Sequence, residues 1–208
     1  MLPPGEPKFR RRPAERPAEI LAAALEVFAA RGYAATRLDD VARRAGVSKG
    51  ALYLYFETKE DLFRAVVGTA IGGNLAHLKD LAGAEVPFEA AARAGVGLLA
   101  RTLASDRRVS GVIRLVLVES RNLPELATIW HETVIVPALG LITGLIRQGQ
   151  AKGEIRAGDP RLFALGIMGP LLLGVLWRET FEPVGAEPVD IEALAAQHLD
   201  TVLGGMRP

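Results

Sequence analysis

The stretch TRLDDVARRAGVSKGALYLYFETKEDLF, residues 36–63, holds two short amphipathic segments separated by a tight turn. Gly46 stands at the turn, where a left-handed backbone costs little only for glycine. Small Ala42 suits a close helix crossing. Apolar residues spaced to pack the two segments together are Val41, Ala45, Val47, Leu52 and Phe56. This pattern predicts a helix-turn-helix over about 37–56.

The second segment is poor in packing residues at its beginning, where Ser48, Lys49, Gly50 and Ala51 follow one another. The N-terminal end of the second helix enters the major groove of DNA in this motif. Small residues allow close approach to the base edges, and a lysine can donate to guanine O6 or N7. Free amides at the helix start can bind a phosphate. The segment therefore favours DNA recognition over the alternative, a solvated helix with half-buried tyrosines.

Residues 17–66 resemble the N-terminal domain of the TetR family of bacterial transcriptional repressors, and residues 36–63 match its signature almost throughout. The resemblance implies an all-helical homodimer that binds a palindromic operator and is released by a ligand in the C-terminal domain. By matching position it implies phosphate contacts from Thr36, Tyr55 and Lys59, base contacts from Lys49, Gly50, Ala51 and Tyr53, and an intermediate role for Ser48. Two positions depart from the family pattern: Ala51 stands where many relatives have Thr, and Leu54 where His or Trp is commoner.

Helical periodicity continues through the chain, and strand signals are weak. Helices are predicted at about 88–103, 107–120, 123–151, 160–180 and 190–204. Predicted N-caps are Thr36, Ser48, Thr58, Asp106, Asp159 and Asp190. The predicted fold is all-α, with about nine helices. It comprises a basic disordered arm over 1–16, the helix-turn-helix domain over 17–66, and a helical regulatory and dimerisation domain over 67–208.

Composition narrows the function classes. The 208 residues include no cysteine and only three scattered histidines, which argues against a thiolate or histidine metal centre. No Glu-x-x-His pair, phosphate loop or recognisable catalytic triad is present, so we expect neither an enzyme nor a cofactor. The beginning of the chain has no apolar segment typical of a signal peptide. We therefore expect a cytoplasmic protein.

Charge is uneven along the chain. Residues 1–60 carry eleven Lys and Arg against eight Asp and Glu, whereas the remainder carries fourteen against sixteen. Part of the excess is the run Lys8, Arg10, Arg11 and Arg12 in a proline-rich leader. This run fits a solvated tail or a tail in contact with an anionic polymer, and the sequence leaves open whether it touches DNA.

The C-terminal region supplies candidates for an effector pocket and a dimer interface. Arg114 is a lone cation in an apolar helix. Its partner is either the carboxylate of Glu119 or an anionic ligand. Trp130 is either a core residue or a wall residue of the pocket, and the apolar composition favours a largely apolar effector. In the family the last two helices usually build the dimer. Candidate interface residues are Leu173, Leu176 and Trp177, although a buried helix within one chain is the alternative for 160–180.

Together these observations predict a ligand-responsive transcriptional regulator, a repressor that binds its operator as a homodimer and is released by a small molecule. The alternative is a constitutive dimeric DNA-binding protein with no effector.

Overall fold

The computed structural model of the protein describes residues 16–208, so the predicted basic arm lies outside the described residues except for Arg16. The helices are α1 (Arg16–Arg31), α2 (Leu38–Arg44), α3 (Lys49–Tyr53), α4 (Lys59–Gly83), α5 (Phe88–Ser105), α6 (Arg107–Glu119), α7 (Pro124–Trp130), α8 (Val136–Ala151), α9 (Pro160–Thr180) and α10 (Ile191–Met206). Since α7 and α8 join through a π-helical turn, His131–Ile135, they form one continuous rod. The described chain thus has nine helical rods and no strand, which confirms the predicted all-α fold.

Helices α1, α2 and α3 pack with the first half of α4 into one unit, which we call the head. Its centre is an aromatic cluster in which Phe28, Tyr33 and Phe63 have ring centroids 5.3–5.5 Å apart. Leu52 of α3 is buried in the same core. Because burying aromatic rings contributes strongly to stability, this cluster fixes the orientation of the short α3 helix.

Helix ends follow local sequence rules at four of the predicted caps. Ser48, Thr58, Asp159 and Asp190 each accept a hydrogen bond from a backbone N–H in the first turn of the following helix. Thr58 and Asp61 form a reciprocal capping box. The prediction for Thr36 was wrong, because the N-cap of α2 is Arg37 and no side chain caps that helix.

Helix α4 belongs to two units at once. Its first half buries Leu62, Phe63 and Val66 in the head, and its second half packs on α5 and α8. It runs unbroken for 25 residues, although Gly68, Gly72 and Gly73 lie inside it. A displacement of its C-terminal half is therefore carried into the head.

Helix α9 continues through Pro170, a residue that cannot donate to the carbonyl four residues earlier. That carbonyl belongs to Gly166, and His198 Nε2 of α10 lies 2.8 Å from it. The imidazole N–H thus replaces the missing backbone donor and joins α9 to α10. By length and composition the runs Pro124–Ala151 and Pro160–Val184 would suffice to cross a membrane, but both pack here as helices of the bundle.

Candidate DNA-binding surface and effector cavity

Helix α3 presents its first turn to the outside. Ser48 Oγ accepts a hydrogen bond from the Ala51 N–H at 3.1 Å, so the cap leaves the preceding amides directed outward. Ser48, Lys49 and Gly50 are exposed, and Ala51 is half-buried. A side chain at Gly50 would meet no atom within 4 Å, so the glycine is not required by packing inside the chain. Its small size leaves the backbone open to an external partner.

Lys49 is held by a carboxylate that sequence reasoning missed. Its Nζ lies 2.9 Å from Asp39 Oδ1 on α2 and 5.9 Å from the Tyr53 ring centroid. The hydrogen bond and the charge of Asp39 raise the pKa of Lys49. The ammonium is therefore fully charged and oriented across the exposed side of the two helices.

Three large exposed side chains follow in the sequence. Tyr53 and Tyr55 are each 41% exposed, and Leu54 is 84% exposed. An exposed leucine between two tyrosines has no packing explanation within the described chain. Together with Lys49 these residues form a surface of phenol hydroxyls, one apolar side chain and one ammonium.

Thr36 and Lys59, the two other predicted phosphate contacts in this region, bond to the backbone of their own chain. Thr36 is buried, and its hydroxyl donates to the Gly32 carbonyl at 2.6 Å. Lys59 is half-buried, and its Nζ donates to the carbonyls of Tyr33 and Thr36 at 3.0 and 3.2 Å. It also lies 4.3 Å from the Tyr33 ring centroid. The first role of both residues is thus to hold the α1–α2 turn.

Tyr33 is the centre of that turn. Its hydroxyl donates to Glu60 Oε1 at 2.9 Å. Burial, and then the bond to the Glu60 carboxylate, raise the pKa of Tyr33. The phenol stays neutral, which keeps a hydrogen-bond donor inside the head.

A cavity with a volume of about 460 Å³ lies between α4, α5, α6, the α7–α8 rod and α9. Its walls include Ile71 and Leu75 of α4, Leu99 of α5, Ile113 and Val116 of α6, Trp130 and Leu139 of the rod, and Met168 of α9. These side chains are apolar. A cavity of this size and composition suits a small organic ligand.

Of the predicted pocket residues, the structure places Trp130 in the cavity wall, whereas Arg114 and Glu119 do not line it. Of the two alternatives for Arg114, the pairing with Glu119 was wrong. Five positions along a helix rotate a side chain by roughly 140°, so the two point in different directions. Arg114 Nε lies 3.8 Å from Glu179 Oε2 of α9 instead.

Glu119 binds backbone groups of the head, a contact that no local sequence pattern predicts. Its two carboxylate oxygens accept hydrogen bonds from the backbone N–H groups of Tyr33 and Ala34, at 3.0 and 2.9 Å. Gly32, with φ of +80°, has no room for a Cβ beside this carboxylate. The end of α6 therefore grips the α1–α2 turn of the head.

Helix α6 connects the cavity to that grip. Ile113 and Val116 line the cavity. On another side, a Cβ at Gly111 would come within 2.9 Å of the Ala29 Cβ on α1. This close approach leaves little slack between α6 and the head.

The outer side of α9 is apolar as well. Leu162, Leu173 and Leu176 are exposed there, whereas Leu165 and Leu172, which are also exposed, line the cavity. The third predicted interface residue, Trp177, is half-buried, and its indole N–H donates to the Glu187 carbonyl at 2.9 Å. Its ring centroid lies 5.3 Å from that of Phe181. Trp177 thus packs on the loop of its own chain, whereas Leu173 and Leu176 face outward.

In the described part of the chain, no group of three or more His, Asp or Glu side chains is placed to hold a metal ion. Comparisons with known proteins identify the family of this chain. The family model "Bacterial regulatory proteins, tetR family" matches residues 20–66, and "AefR-like transcriptional repressor, C-terminal domain" matches residues 91–204. The chain belongs to the TetR family of bacterial transcriptional regulators.

TetR-family relatives with similarity along nearly the whole chain include regulators of fatty acid metabolism. The fatty acid metabolism regulator protein of Bacillus subtilis is 28% identical over 193 residues, covering 90% of this chain and 94% of the relative. The fatty acid degradation regulator FadR of Bacillus halodurans has a TM-score of 0.75 at 26% identity, covering 91% of this chain and 99% of that one. FadR of Bacillus subtilis, solved in complex with stearoyl-CoA, has a TM-score of 0.71 at 25% identity with the same coverage.

Proposed function

We propose that this TetR-family protein is a cytoplasmic repressor that binds a palindromic operator as a homodimer and leaves it when an apolar effector enters the cavity. One observation carries the proposal: α6 lines the cavity and holds the head through Glu119. A ligand that displaces α6 therefore acts on the part of the molecule that presents α3. The apolar cavity walls and the family's regulators favour this function over an enzyme.

The proposed base contacts come from Lys49, Gly50, Ala51 and Tyr53. Tyr55 contacts a phosphate, and Ser48 stands between the two roles. Their support is the exposed first turn of α3 and the ammonium at Lys49. Since Ala51 offers only a methyl group, its contact is apolar, such as with a thymine methyl. Lys59 and Thr36 contribute to phosphate binding through the turn that they hold, with one donor of Lys59 left beyond the two carbonyls.

The proposed dimer forms through α9 and α10, with Leu173 and Leu176 in the interface. A palindromic operator requires a two-fold protein. An apolar stripe of exposed leucines along α9 supplies a surface that water solvates poorly. Trp177 borders this interface from the loop side.

The proposed switch changes the spacing of the two heads. Two recognition helices on one face of DNA must lie about 34 Å apart, or a multiple of that. Both α4 and α6 join the cavity to the head, so a ligand that prefers one arrangement of these helices tilts the head. The head itself stays folded, because its aromatic core takes no part in the cavity.

The test begins with duplexes enriched from a randomised pool by the protein. Stearoyl-CoA, the molecule bound to the Bacillus subtilis relative, is then titrated against the complex. We expect the affinity for the enriched duplex to fall roughly fivefold or more, with coenzyme A alone as the control. An unchanged affinity across apolar ligands would leave the constitutive DNA-binding protein as the better description, and no enrichment would refute the operator.

A further inference from the structure

The cavity wall has almost no polar chemistry. Among the described residues that line it, none is charged, and the polar side-chain groups are the Asn74 amide and the Trp130 indole N–H. Two arginines directly beside wall residues in the sequence are paired with carboxylates elsewhere. Arg114 pairs with Glu179, and Arg93 pairs with Glu89 and Asp200. A ligand inside the cavity therefore meets no counter-ion.

Asn74 is oriented by a neighbour. Asn74 Oδ1 and the Leu98 carbonyl share the Thr102 hydroxyl as a donor, at 3.3 and 3.0 Å. With its carbonyl oxygen beside that hydroxyl, Asn74 keeps its amide N–H groups for another partner. Within the described chain no acceptor is bonded to them. The cavity thus offers amide donors in a wall of hydrocarbon.

An ionised carboxylate in this cavity would lose its hydration and gain no cation, because the wall offers only the neutral donors of Asn74 and Trp130. A neutral ester or thioester carbonyl loses far less, and the Asn74 amide satisfies it. The cavity consequently favours a ligand with an uncharged polar group over a ligand with an ionised one.

We infer that the effector, in the site that the proposed function assigns to it, is an elongated apolar molecule that is uncharged inside the cavity. Its one acceptor group, of ester, thioester or ketone type, binds the Asn74 amide. A free fatty acid enters only in its protonated form.

The experiment measures displacement of Nile red from the full-length protein by laurate, methyl laurate and lauroyl-CoA. At neutral pH we expect methyl laurate to displace the dye at a concentration at least about tenfold lower than laurate does. Because none of the lining residues carries a titratable charge, lowering the pH by one unit should raise the apparent affinity for laurate about tenfold and leave that for methyl laurate unchanged.

The measurement with lauroyl-CoA distinguishes an acyl thioester from a free neutral molecule as the ligand. Lauroyl-CoA that binds like the methyl ester indicates an acyl thioester with its charged part outside the cavity. Lauroyl-CoA that fails where the ester binds indicates a free neutral molecule. Both results support an uncharged ligand inside the cavity.

A matched pair of variants tests Asn74. Asn74→Leu should weaken methyl laurate roughly twofold to tenfold, the loss of one hydrogen bond, while Nile red still binds. The control is Asn122→Leu, at an exposed position outside the wall, which should change neither.

Equal displacement by laurate and methyl laurate, or a protein that never takes up Nile red, would overturn the inference. Ligands that displace the dye with the expected charge preference but leave DNA binding unchanged would instead refute the proposed regulatory function and leave the inference standing.

Discussion

Replacing Glu119 with alanine tests the connection between α6 and the head. The change removes both oxygens that accept from Tyr33 and Ala34. Hydrogen bonds to charged groups contribute about 1.5–3 kcal/mol each. Since Ala34 is exposed its N–H can bind water, whereas Tyr33 is buried and its N–H loses its partner. We therefore expect a loss of about 2–3 kcal/mol in the free energy of unfolding.

For a chain of this length that loss corresponds to a fall in Tm of roughly 4–10 °C, which calorimetry measures directly. The matched control is Glu132→Ala. Glu132 also joins two elements, pairing with Arg64 at 2.9 Å, but both side chains are about half exposed. Such a surface pair contributes about 0–1 kcal/mol. If Glu119→Ala shifts Tm no more than Glu132→Ala does, the carboxylate does not hold the turn and the reasoning fails.

Three further predictions concern the proposed DNA-binding surface and the proposed dimer interface. Lys49→Ala should weaken binding to the enriched duplex more than to random duplex, and equal losses on the two would contradict a base contact. Asp39→Asn should strengthen binding to random duplex roughly twofold to fivefold, because a carboxylate no longer repels phosphates. Filter-binding titrations measure both effects, with Lys79→Ala as the control. Leu173→Arg should convert the proposed dimer to a folded monomer in sedimentation experiments, because it places an unpaired charge in an apolar interface. The control variant Leu54→Arg should remain a dimer. A wild-type protein that already sediments as a monomer would exclude this interface.

The sequence predicted the features that depend on neighbouring residues. The caps Ser48 and Thr58 need partners only three positions away. The helices predicted at 88–103, 107–120 and 160–180 end within two residues of the observed bounds. Periodicity and capping act within one or two turns, so they are visible without a structure.

Contacts between distant segments could not be read in the same way. Thr36 has the residue type of an N-cap, but the Gly32 carbonyl takes its hydroxyl. Glu119 binds amides 85 and 86 positions earlier in the chain. Neither partner is marked by spacing, because backbone groups carry no sequence signal. The sequence shows that Leu54 departs from the family pattern. It does not single out Asp39 as the partner of Lys49, because several other acidic residues are present.

The two connections to the head act on different parts of it. Helix α4 enters the core of the head, where Phe63 is fully buried. Helix α6 holds the head at the α1–α2 turn through Glu119. Both helices also form walls of the same cavity.

A body held at two points rotates when one point moves relative to the other, whereas a body held at one point only follows it. A ligand that separates the walls formed by α4 and α6 therefore tilts the head without breaking its core. Tilting the heads changes the distance between the two α3 helices of a dimer, the quantity to which a palindromic operator is sensitive. If the proposed switch operates in this way, thermodynamic linkage requires operator DNA to weaken effector binding by the same factor by which the effector weakens DNA binding.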